Sequence, residues 1–339
     1  MKNKYLAACA IATLVAAWSI DARAQRGGGA RGGGAAEPQT AQTKAAQDLI
    51  AQAMVIAKDD LKAEATDACL PGGPARDPDP RPMQKVEPLK VFDNLYYVGF
   101  EQVGTWTLDT GAGLILFDTL NNPQEAETVL VPGLKQLGLD PANIKYIVLS
   151  HGHADHYGGA PYFQEHYPNA RVMLTAADWD MIARPPRGNA NGAAAQRVIP
   201  KRDMVINDGD ILKLGSTTIK FGIYPGHTPG TIMFSAPVLD HGVRRVWLSP
   251  AGALQVPNKE SWMAFKHIIN DYFKADQPEM VFNSHPLTMN DGLAKMAEIR
   301  KNPNGPNPYV LGKAKTARYL DIMLACRQAW VVEKDPSAL

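Results

Sequence analysis

Cysteine is scarce in this chain: Cys9, Cys69 and Cys326 are the only three among 339 residues. Structural zinc modules close their metal with cysteine-rich ligand sets, so the chain is poorly suited to that class. A formal net charge of +1 gives no argument for a nucleic-acid partner. Neither S-x-x-K nor G-x-S-x-G occurs anywhere, which leaves a serine nucleophile without its usual setting. Past the N-terminus, no stretch approaches the roughly 18 to 20 apolar residues that a membrane span needs. What is present is a 45% apolar chain, long enough to bury a large core in one big α/β domain or two fused halves.

The N-terminus reads as a targeting signal. Lys2 and Lys4 precede an apolar run over 5–20, and Ala22-Arg23-Ala24 supplies a small-x-small cleavage pattern, so residues 1–24 are expected to be removed and the mature chain to be periplasmic or secreted. Leu6-Ala7-Ala8-Cys9 mimics a lipoprotein box but comes too early to leave an apolar core before it. Residues 25–42 are glycine-rich and of low complexity, a composition that cannot bury apolar surface and predicts disorder. Over 43–68, Ile50, Met54, Ala57, Leu61 and Ala65 recur every three or four positions, which predicts a helix docked by its apolar face. The breaker Pro71-Gly72-Gly73-Pro74 ends it, and 43–85 forms a helical extension ahead of a main domain over 86–332.

Eight histidines are present, and three of them fall in six positions. Ser150-His151-Gly152-His153-Ala154-Asp155-His156 directly follows the apolar stretch 144–149. Extended chain sends alternate side chains to one face, so His151 and His153 can reach one ion, while a turn after Ala154 redirects Asp155 and His156 to a second point. His227 sits in the Gly/Pro-bracketed turn Tyr224-Pro225-Gly226-His227-Thr228-Pro229-Gly230, and His285 follows the short apolar run Val281-Phe282. A strand that leads at once into a ligand-bearing loop is how a rigid sheet presents metal ligands.

In this combination, H-x-H-x-D-H followed by a histidine in G-H-T-P-G and a final histidine, the chain resembles the metallo-β-lactamase superfamily over roughly residues 86 to 330. It is most similar to the third subclass of metallo-β-lactamases, the di-zinc group without a cysteine ligand. The resemblance implies two Zn2+ per chain, one held by His151, His153 and His227 and the other by Asp155, His156 and His285. It further implies hydrolysis of a small-molecule β-lactam without an acyl-enzyme, by a hydroxide formed between the zincs and oriented by Asp155 as the catalytic carboxylate. Another di-zinc hydrolase, acting on a lactone, ester or phosphodiester, is the alternative.

The window 246–256 separates these readings. Glyoxalase II, the lactonases and many other relatives place a bridging aspartate there, and other lactamase subclasses a cysteine, whereas this window holds neither acid nor thiol. The third subclass usually has serine, and Ser249 is the hydroxyl available for substrate contact or a plain turn. Asp118, closing the apolar run 114–117, is a candidate to accept the second N–H of a ligand imidazole or to cap a turn. His166, His241 and His267 lie outside the motifs and read as structural or solvated. Cys69 and Cys326 are either a disulfide, as an even pair in an oxidising compartment suggests, or two buried thiols. Specificity is expected in the loops 99–106 and 183–200, and the basic residues Arg184, Arg187, Arg197, Lys201 and Arg202 that gather in and just after the latter read first as a solvated loop and second as a collar for an anionic substrate.

Strands are expected at 95–100, 105–108, 114–118 and 144–149, with helices at 123–137 and 157–166. A second set follows at 203–206, 211–214, 217–223, 231–236, 244–248 and 279–283, with helices at 260–275 and 319–332. Strands then helices, twice, predict an α/β fold, a four-layer αβ/βα sandwich with the site along the shared sheet edge.

Overall fold

The computed structural model describes residues 41, 43–69, 82–184, 198–252, 256, 258–289 and 291–339. The signal segment 1–24, the glycine-rich tract 25–42 apart from Ala41, the breaker at 71–74 and residues 185–197 of the second expected loop, with Arg187 and Arg197, lie outside the described residues.

Twelve strands make two sheets among the described residues. The first holds β1 (Lys85–Phe92), β2 (Leu95–Phe100), β3 (Gly104–Asp109), β4 (Leu114–Phe117), β5 (Ile144–Val148), β6 (Arg171–Thr175) and β7 (Met204–Ile206), in that spatial order. Its first four strands run antiparallel as a meander, and β4 to β7 run parallel through helical crossovers. The second sheet is ordered β12 (Met280–Val281), β11 (Val243–Pro250), β10 (Ile232–Asp240), β9 (Thr217–Ile223) and β8 (Ile211–Leu214), antiparallel except for β12 beside β11.

The period of two along each strand builds the layers. On β4, Ile115 and Phe117 enter the core between the sheets, while Leu114 and Leu116 turn outward to meet Leu130, Leu134 and Phe163 from the helices on that side. On β10 and β11, Phe234 and Trp247 face inward. Met233 and Leu248 face outward against Phe265, Ile269, Leu320 and Met323. Phe117 stacks on Phe234 at 4.4 Å, and Trp247 on Phe282 at 4.7 Å, so the sheets meet through an aromatic centre in which each large-to-alanine change would cost about 3–5 kcal/mol. The result is the four-layer αβ/βα sandwich.

The centre also positions a loop. The indole N–H groups of Trp106 and Trp247 donate to the carbonyls of Asn283 and Phe282, each at 2.9 Å, and the Gly104 N–H donates to Ser284 O at 2.9 Å. Three consecutive carbonyls just before His285 are thereby held from the core.

Several elements differ from the sequence reading. The helix expected over 43–68 is two helices, Lys44–Ala57 and Lys62–Ala68, because Lys58 adopts a left-handed φ of 54°. The apolar spacing runs through the break, and Ala57, Leu61 and Ala65 all remain buried. Strands β1 and β6 and the helices Ala176–Ala183 and Gly292–Lys301 were not anticipated. The strand at 204–206 pairs with β6 and so completes the first sheet instead of opening the second. Cys69 and Cys326 form a disulfide, which ties the N-terminal helices to the helix Lys313–Val332 across 257 residues of sequence.

Candidate metal centre

Strand β5 runs into Leu149 and Ser150, and the chain then bends over His151, Gly152 and His153, the last with extended dihedrals (φ −90°, ψ 151°), before the short helix Ala154–Tyr157 begins. His151 and His153 thus lie in a bend after the strand instead of on the continuous extended chain the sequence suggests, and the helical turn carries Asp155 and His156. The turn after β9 supplies His227, closed by the Gly226 N–H donating to Thr228 O at 3.0 Å. His285 follows β12. All six expected residues converge, as two groups: His151, His153 and His227 form one, and Asp155, His156 and His285 the other, with the ligand atoms of each within 4.8 Å of one another.

Hydrogen bonds on the far side of three rings fix which nitrogen faces inward. Nδ1 of His151 is 2.9 Å from Ala251 O, Nδ1 of His285 is 2.6 Å from Gln102 O, and Nδ1 of His156 is 2.8 Å from Asp118 Oδ2. A carbonyl or carboxylate can only accept, so each Nδ1 carries a proton and each Nε2 turns inward, as a lone pair on His151 and His285 and, until a metal displaces its proton, as a second N–H on His156. Nε2 of His156 and Nε2 of His285 then face each other at 3.0 Å. In the first group, His153 Nδ1 lies 3.2 Å from His151 Nε2 and 3.0 Å from His227 Nε2. Lone pairs this close repel unless a proton or cation lies between them. Two nitrogens on a tetrahedral zinc at 2.0–2.1 Å are separated by about 3.3–3.4 Å, so the donor type and spacing fit a divalent ion in both groups.

The electrostatics divide the rings. Burial, then the neighbouring imidazole of His153, lowers His227 to about 4, and burial likewise lowers His151, His153 and His285. These rings are neutral at neutral pH, the form that binds metal. His156 is the exception: burial works against its charge, but Asp118 and Asp155 carry it up to about 10. Burial opposes ionisation of Asp155 too, yet His156, His285 and His151 hold its carboxyl well below the usual range.

Asp118 ends β4 with a left-handed φ of 68°, and its fully buried carboxylate accepts the Ser150 N–H at 2.8 Å and the Ser284 hydroxyl at 2.6 Å besides the His156 ring. Ser249 is 3% exposed within β11, paired with Phe234, and no hydrogen bond joins its hydroxyl to the six. His166 stacks on Tyr162, His241 lies against Asp240 and His267 against Asp271, all away from the cluster.

The sequence reading missed Asp178. This buried residue of the helix Ala176–Ala183 accepts the Gly152 N–H and the Thr228 hydroxyl on Oδ2, at 2.8 and 2.6 Å, and the Gly230 N–H on Oδ1 at 2.8 Å. Burial raises its carboxyl, against those three donors. The available signal was Thr175-x-x-Asp178, the spacing of an N-cap and an acid three residues on. Thr175 is that N-cap, accepting from the Asp178 N–H at 3.4 Å.

A two-sheet αβ/βα sandwich with paired histidine-rich groups at its strand ends defines a class of metal-site folds, and the comparisons agree on which one. Residues 98–240 match the family model described as the metallo-beta-lactamase superfamily, a span that contains every residue of the two groups except His285. Its fold resembles that of BJP-1, a subclass B3 metallo-beta-lactamase of Bradyrhizobium japonicum, with a TM-score of 0.57 and 25% identity over 70% of this chain and 90% of that one. By sequence it is 30% identical over 133 residues to a hydroxyacylglutathione hydrolase of Synechococcus sp., covering 39% of this chain and 41% of that protein. It is 29% identical over 143 residues to the N-acyl homoserine lactonase AttM of Azorhizobium caulinodans, covering 40% and 52%. The chain thus spans about half the length of these sequence relatives or less.

Proposed function

We propose that the protein is an exported zinc-dependent hydrolase that opens the β-lactam ring, with His151, His153 and His227 holding one Zn2+ and Asp155, His156 and His285 the other. The observation that carries the reading is the donor set: six side chains in two groups of three, with no acid or thiol in 246–256 to bridge them. Bound zinc would polarise the scissile carbonyl and bring the pKa of water near neutrality. Asp155, ionised at any working pH and 36% exposed at its side chain, orients the attacking water by accepting its proton in a hydrogen bond. The water oxygen joins the carbonyl carbon, the C–N bond breaks and the ring nitrogen takes up a proton. Asp118 and the Gln102 carbonyl hold the rings of His156 and His285 with Nε2 inward. The fold neighbour BJP-1 supports the lactam, and Ala22-Arg23-Ala24 supports export.

The second reading, a thioester or lactone hydrolase at the same centre, is favoured by the two sequence relatives. Turnover of a chromogenic cephalosporin by the mature protein, abolished by chelator and restored by zinc, is the expected result. A zinc-loaded protein that leaves penicillins, cephalosporins and carbapenems intact but cleaves a glutathione thioester or an acyl-homoserine lactone efficiently would transfer the assignment to the second reading.

A further inference from the structure

We propose that Asp178 is the positioning residue of the three-histidine group alone, acting through the backbone that carries the ligands. The inference rests on the two-zinc reading above. Its three donors flank the ligands of that group: the Gly152 N–H lies between His151 and His153, the Thr228 hydroxyl belongs to the residue after His227, and the Gly230 N–H closes the same turn. One buried carboxylate thereby joins a loop after β5 to a turn after β9, 74 residues apart at His153 and His227. The Ile232 N–H to Ser150 O bond at 3.2 Å is a second tie between these segments, but it lies outside both ligand turns.

The contact is tight. A Cβ at position 230 would sit 1.8 Å from Thr175 Oγ1 and 2.9 Å from the Asp178 carboxyl carbon, so glycine there is what lets the turn reach the acid. Thr175 adds a hydroxyl donated to Gly230 O at 3.0 Å. None of these partners belongs to the other group, which is organised around Asp118 through Ser150, His156 and Ser284. Asp178 therefore reaches the three-histidine group only, whereas Asp118 holds His156 directly and, through the Ser150 N–H, also the segment that leads into His151.

The inference predicts a site-selective loss of metal. Asp178→Asn keeps the shape but turns an amide N–H2 toward one of the backbone N–H groups, and Thr228→Val removes one donor at constant volume. Metal-free mature proteins would be titrated with zinc against a chromophoric chelator, with melting curves to verify folding. Wild type is expected to take up two equivalents. Asp178→Asn should hold one with wild-type affinity and the other about 10- to 100-fold more weakly, and Thr228→Val should weaken the same ion by a smaller factor. In a His285→Ala background the Asp178→Asn loss should persist on the remaining ion, and in a His227→Ala background it should vanish, since the site it supports is already broken. Two wild-type affinities in both Asp178→Asn and Thr228→Val, or an undiminished loss in the His227→Ala background, would overturn the inference alone. A wild-type protein that takes up no zinc would overturn the metal reading as well.

Discussion

Nδ1 of His156 donates to Oδ2 of Asp118 at 2.8 Å, with both side chains closed to solvent. The same carboxylate holds the Ser150 N–H and the Ser284 hydroxyl, so β4, the H-x-H segment and the segment before His285 all register against one group. Asp118→Asn should weaken metal retention about 10- to 100-fold. Elemental analysis after dialysis should show substoichiometric zinc, and excess zinc should restore turnover in part.

The imidazoles set a pH profile for the metal-free protein. His227, lowered to about 4 by burial and then by His153, binds a proton in the unfolded chain below its ordinary value of about 6.5 before it does so in the fold. Stability therefore rises with pH from about 4 to 6.5 on its account. His156 acts in the opposite sense. Raised to about 10 against burial by Asp118 and Asp155, it contributes stability that is complete below about 6.5 and is lost as pH rises toward 10. Calorimetry of zinc-free protein should give a Tm that peaks near neutrality and falls on both sides. Zinc should raise the alkaline limb, because binding requires the neutral ring and releases the His156 proton.

Asp155→Asn preserves shape and removes the charge that, on the proposed function, orients water, so kcat should fall by orders of magnitude while KM changes little. His166→Ala is the matched control: its ring lies on the exposed face of the helix Ala160–His166, stacked on Tyr162, and turnover should stay near wild type. Steady-state kinetics on the best substrate measure both.

Legibility in the sequence followed the range over which each feature is encoded. The six candidate ligands were readable because each lies in a segment that follows a strand and four lie in one local motif. Asp118 was readable because it closes an apolar strand just where a ligand ring needs a partner. Asp178 was not, since its bonds to Gly152, Thr228 and Gly230 exist only once β5, β9 and its own helix are packed. Strand β1 hid behind Pro88 and an outer half that is largely exposed. Lys58 broke the first helix with neither glycine nor proline to mark it, while Ala57 and Leu61 kept the apolar spacing intact.

The turn that carries Asp155 and His156 also rests on a close backbone approach. A Cβ at Gly158 would lie 1.9 Å from Asn121 O and 2.6 Å from Ala154 O, both main-chain atoms that no rotamer change can clear. Gly158→Ala should therefore cost about 1–3 kcal/mol or more and displace the helix Ala154–Tyr157, so zinc content should fall along with Tm. Gly138 offers the contrast: it has a φ of 76°, and a Cβ there would meet no atom within 4 Å. Gly138→Ala should cost only the left-handed backbone penalty of about 1–2 kcal/mol, with zinc content unchanged. Thermal melts paired with metal analysis separate the two effects, and equal metal loss in both variants would show that the turn at Gly158 is not what fixes the ligands.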